Sequence, residues 1–85
     1  MNKTMQEAIE YIKSQIDINE LENAVSKSMY HKQPLHMTDS NLYDKIYDLL
    51  EEYGEDNDLP ECWWMNETDD IEEIAGWVLD TVNEQ

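Results

Sequence analysis

Residues 38–54, TDSNLYDKIYDLLEEYG, decide the fold. Leu42, Ile46, Leu49, Leu50 and Tyr53 recur at three- and four-residue steps, the period of one helix face. Tyr43 and Tyr47 flank that stripe, while Asp44, Asp48, Glu51, Glu52 and Glu55 point elsewhere. Thr38, Asp39, Ser40 and Asn41 all have short polar side chains suited to accept from a first-turn N–H, which places the cap at Thr38 or Asp39. Gly54 is expected as the left-handed residue that ends the helix. Glu51 and Glu52 oppose the helix dipole near its C-terminus, at roughly a few tenths of a kcal/mol each. The acid is therefore tolerated against a local cost.

Upstream, Thr4 and Glu7 have capping-box spacing. Met5, Ala8, Ile9, Ile12 and Ile16 then form an amphipathic stripe, predicting a helix over residues 5–16. Asp17 and Glu20 repeat the box. Ile18, Leu21, Val25 and Ser28 or Met29 carry a second helix to about Tyr30. Two helices are expected rather than one bent one, because Asp17 and Asn19 compete with the backbone for its hydrogen bonds. HKQPLHMT, residues 31–38, is a break, with Pro34 biasing Gln33 away from the helical region.

Downstream, Glu55 to Asn66 reads as a loop, with Asp56, Asn57, Asp58 and Pro60 as turn formers. Asp69 and Glu72 open a last helix over residues 69–83, with Ile71, Ile74, Ala75, Val78, Leu79 and Val82 inward. Gly76 inside it costs about 1 kcal/mol against alanine, so a closely approaching helix or ring is expected there. No segment alternates as a strand would. The fold class is all-α: one small domain, residues 1–85, built as a bundle of three to four helices.

Charge is the loudest feature. The 85-residue chain carries −16. Residues 1–45 hold 7 acidic residues and 5 lysines, whereas residues 46–85 hold 14 acidic residues and no basic one. This exceeds the magnitude of about 2–8 that keeps a small domain soluble, and self-repulsion costs stability. A positively charged partner would offset that cost. Nucleic acid as a direct ligand and anionic membranes are disfavoured, because both would be repelled. Adaptation to high salt would spread the charge rather than polarise it. Arginine is absent. The lone Cys62 permits no intrachain disulfide, which fits a reducing compartment. The opening MNKTMQEAIEYIK lacks a signal peptide's apolar run, and a cytoplasmic location is expected.

No catalytic or cofactor motif stands out. With Asp56 as position 1 of a calcium loop, Asp58 and Glu67 fall at ligand positions 3 and 12, but Pro60 and Glu61 stand at positions 5 and 6, where the sharp turn needs glycine. His31 and His36 straddle a proline and Cys62 is alone, a poor start for zinc. Cys62 has only acidic neighbours, which disfavour a thiolate. Paired carboxylates could serve a glycosidase, but so short a chain leaves little room for a cleft. The expectation is therefore no enzyme, no cofactor and no specific metal site. A divalent-binding protein, in which calcium would raise the melting temperature and Asp56→Asn would abolish the rise, is a third alternative.

Trp63 and Trp64 should split, one plugging the core with Trp77 and the other standing as an anchor in an acidic ring. Fourteen charges match roughly 24 Å of duplex DNA, at one per about 1.7 Å. Asp44, Asp48, Glu51, Glu52 and Glu55 can form a row. Asp56, Asp58, Glu61, Glu67, Asp69, Asp70, Glu72 and Glu73 can extend it. The leading expectation is an acidic protein that occupies the basic groove of a nucleic-acid-binding protein as a DNA or RNA mimic or inhibitor. Proteins of this composition and size are often carried by phages and mobile elements. The alternative is an interaction module, homodimeric or not, that docks through Trp63, Trp64 and Met65 while the acid serves solubility.

Overall fold

The computed structural model describes residues 2–83. It is all helical, with no strand among those residues. Four helices exceed three turns: α1 (Lys3–Gln15), α2 (Ile18–His31), α4 (Ser40–Asp56) and α5 (Ile71–Asn83). A single helical turn, α3 (Leu35–Thr38), joins α2 to α4, and a 3₁₀ turn (Trp63–Asn66) lies between α4 and α5.

α5 touches α1, α2 and α4; α1 also packs on α4, and α3 bridges α2 and α4. The buried stripes meet in one core: Met5, Ile9 and Ile12 from α1, Leu21 from α2, Leu42, Ile46 and Leu50 from α4, and Ile71, Ile74 and Val78 from α5. Leu35 and Trp64 fill it from the connecting turns.

Caps follow short polar side chains, though not always the expected ones. α1 begins two residues early because Asn2, rather than Thr4, accepts from the Met5 N–H at 2.8 Å. Asp17 caps α2, so α1 and α2 are separate, with Ile16 extended between them. Asp39 accepts from the Leu42 N–H at 3.1 Å and caps α4. At α5 the acceptor is Asp70, 2.9 Å from the Glu72 N–H, and not Asp69. At the end of α2 it is Ser28 that turns inward; Met29 is 74% exposed.

The helix ends depart most from expectation. α4 runs through Gly54 to Asp56. The left-handed residue that stops it is Asp58 (φ 57°), with the Leu59 N–H on the Gly54 carbonyl at 2.8 Å. α2 stops in the same manner on Lys32 (φ 53°), with the Gln33 N–H on the Ser28 carbonyl at 3.1 Å. Neither position is glycine, although a Cβ in this conformation costs roughly 1–2 kcal/mol. Lys32→Gly should therefore stabilise the chain by about 0.5–1 kcal/mol, once the extra freedom of glycine in the unfolded chain is deducted. For a chain of this size that is about 3–6 °C in Tm. Lys32→Ala, which removes the charge but keeps the Cβ, should show no such gain.

Gly76 does not mark a close approach: apart from its own helix backbone and chain neighbours, no described atom lies within 4 Å of where its Cβ would stand. The close approach is at Gly54. A Cβ there would lie 2.7 Å from Cδ1 and 2.9 Å from Nε1 of Trp63.

Candidate functional site

On α4, 3.6 residues per turn puts Asp44, Asp48, Glu51, Glu52 and Glu55 within an arc of about 100°. That arc faces away from Leu42, Ile46, Leu49, Leu50 and Tyr53, and all five carboxylates are exposed. At 17 residues, α4 is about 26 Å long. Asp56, Asp58 and Glu61 continue the exposed acid past its C-terminus, and Asp69, Asp70 and Glu73 stand exposed at the start of α5. No basic residue lies in the last turn of α4, so its free carbonyls add to the negative potential there.

Two members of the expected site are partly spent on the fold. Glu67 is half-buried and accepts from the Asn2 N–H at 2.9 Å, holding the start of α1. Glu72, also half-buried, shares the buried Ser28 hydroxyl with the Gln33 carbonyl, at 2.5 Å from each oxygen, and so ties α5 to α2. Glu84, one of the fourteen acids counted from the sequence, lies outside the described residues. Among the described residues the one ion pair is Lys13 with Glu10, at 3.8 Å and in the first half of the chain. Among the described residues the carboxylates of residues 46–83 thus stand in no ion pair.

The tryptophans split, but neither stands free as an anchor. Trp64 is 1% exposed, wedged edge-on against Tyr47 at 5.3 Å, so it is a core residue and presents nothing to a partner. Trp63 is half-buried, with Nε1 donating to the Leu50 carbonyl at 2.9 Å. An aromatic chain runs from Tyr11 to Tyr53 (5.9 Å), on to Trp63 (5.5 Å) and to Trp64 (6.0 Å). It belts α1, α4 and the 3₁₀ turn together. The large exposed apolar side chains lie mostly elsewhere, with Met29, Tyr30 and Met37 at the α2–α3 corner and Met65 on the 3₁₀ turn. Only Met65 lies where the sequence suggested a patch. Met29 and Tyr30 fall at the end of the α2 stripe, where an apolar residue reads equally well as core or as surface.

The acidic surroundings act on three phenols. The Glu52 carboxylate, accepting from the Tyr11 hydroxyl at 2.7 Å, raises the Tyr11 pKa. The charge of Glu51 raises that of Tyr47. Burial first, then Glu7, raises that of Tyr53. The folded chain thus holds these phenol protons more tightly than the unfolded chain does. The resulting stability is complete below the ordinary tyrosine value of about pH 10 and is lost as pH rises past it toward the folded values. Tm should therefore fall above about pH 10, and Tyr11→Phe should lessen that fall. Thermal melts across the alkaline range check it.

Among the described residues, no three His, Cys, Asp or Glu side chains converge as metal ligands would. None of the described helices is long and apolar enough to cross a membrane. Compared with family models, curated proteins and solved structures, the chain matches none.

Proposed function

We propose that this chain binds the basic surface of a nucleic-acid-binding protein and occupies it in place of the phosphate backbone. The observation that carries the reading is the exposed acid of α4, the following loop and the start of α5; Lys45 is the one lysine among them, and no lysine forms an ion pair with these acids. Eleven of the fourteen acids are exposed among the described residues, the charge of roughly 19 Å of duplex DNA. The α4 row alone spans most of that length. Such a surface costs stability by self-repulsion, and a cationic partner relieves the cost. Binding is then steered by long-range attraction and weakens as salt screens it.

The test is capture from a cell lysate on the immobilised chain, followed by elution with salt and, separately, with duplex DNA. The expected result is retention of nucleic-acid-binding proteins that leave at moderate salt and are displaced by DNA. Affinity for the purified partner should drop at least about tenfold between 50 and 200 mM NaCl. Capture of a partner indifferent to both eluents would remove the mimic reading.

One observation favours a second reading, docking through apolar burial. Met29, Tyr30 and Met37 are 74%, 84% and 63% exposed, and residues 23–38 contain no carboxylate. On that reading Met29→Ser with Met37→Ser abolishes binding, while neutralising Asp56, Asp58 and Glu61 leaves it unchanged.

A further inference from the structure

Past the end of α4 the chain folds back and leaves a groove of about 300 Å³. Its floor is largely apolar, made by Leu59, Cys62, the half-buried Trp63 and the buried Trp64, with the exposed Pro60 at its side. Its rim is acidic: Glu51, Glu55 and Glu61, all exposed and in no ion pair. The volume is at the low end for a ligand site and fits one side chain rather than a folded segment. Trp63 is held in place, because its indole N–H is bound to the Leu50 carbonyl and its ring abuts Gly54. The floor therefore exists before any guest arrives.

We infer that this groove receives an arginine side chain presented by a basic protein. Each part of the guest has a counterpart. The three-carbon stem buries against Leu59 and Pro60, as long cationic side chains do when the head stays in water. The guanidinium, planar and weakly hydrated, stacks on an indole and forks onto carboxylates. Three carboxylates that form no ion pair among the described residues give the rim a charge of −3. The C-terminal carbonyls of α4 point their negative pole to the same end of the helix. A guest cation there repairs the unfavourable meeting of acid and helix dipole that α4 carries when free.

The inference rests on the reading that the acidic surface takes a basic protein, and its test needs no partner in hand. Nα-acetyl-arginine methylamide is titrated into the whole chain and followed by amide and indole NMR. The controls are the citrulline analogue, which is isosteric and neutral, the lysine analogue, and NaCl at matched ionic strength. The expected result is a saturating shift of the Trp63 indole N–H and of the amides of residues 55–63. The lysine analogue gives a weaker response, and citrulline and NaCl give none. Glu55→Gln with Glu61→Gln, both exposed and free of contacts that hold the fold, should weaken the arginine probe roughly fivefold. Signals outside the groove then verify that the variant stays folded. Shifts no larger than those of NaCl, or spread equally over residues 67–73, overturn the inference. That failure leaves the mimic reading to the salt and DNA elution. Conversely, salt-indifferent capture removes the mimic reading while a saturating arginine site would stand.

Discussion

Trp64→Ala should cost about 3–5 kcal/mol, the range for removing a buried aromatic side chain. A chain of 85 residues has a total stability of roughly 4–13 kcal/mol, so the variant should be largely unfolded at moderate urea. The cost is at the upper end for a structural reason. Trp64 is the largest of the fully buried side chains, and it comes from a connecting turn rather than from a helix. Its removal leaves a cavity bordered by Tyr47 and Trp63, and the 3₁₀ turn loses what holds it against the helices. Trp64→Phe keeps most of the apolar volume and should cost much less. Urea titrations of both variants give the comparison; equal midpoints for Trp64→Ala and the parent would show that Trp64 does not carry the core.

The two glycines should respond to alanine with opposite signs. Both lie inside helices, where alanine is preferred by about 1 kcal/mol on backbone grounds. At Gly76 nothing opposes that preference, and Gly76→Ala should stabilise by about that amount. At Gly54 the new methyl would meet the Trp63 ring at 2.7 Å. The ring must then retreat, giving up its bond to the Leu50 carbonyl and its packing on Tyr53. Overpacking of this kind costs about 1–3 kcal/mol. Gly54→Ala should therefore lower Tm by several degrees and Gly76→Ala should raise it. A gain at both positions would mean that Trp63 is not seated against α4.

The four long helices were legible in the sequence because each buries a stripe of Leu, Ile, Val or Ala at helical spacing. The caps were legible to within two residues, since several polar residues compete at each start and only geometry chooses among them. Asn2 wins over Thr4, and Asp70 over Asp69. The role of Gly54 was not legible. A glycine after a helical stripe reads as a terminus, and its real use depends on Trp63, nine positions later and across a turn. The α3 turn was hidden for a similar reason. Pro34 marks a break, but Leu35 is drawn into the core and closes one helical turn behind it. Of the candidate site, the exposure of the α4 row follows directly from its spacing. The burial of Trp64, the partial use of Glu67 and Glu72 by the fold, and the groove beside Trp63 all depend on contacts between distant segments.

The tryptophan pair has an optical consequence. Two indoles held 6.0 Å apart with their planes at 87° couple their electronic transitions. The folded chain therefore carries a circular dichroism signal that neither ring would give alone. Trp63 takes its place from α4 and Trp64 from the core, so the signal reports on both attachments at once. A conformer in which the turn has lifted off α4 while the helices persist would keep its helical spectrum and lose the couplet.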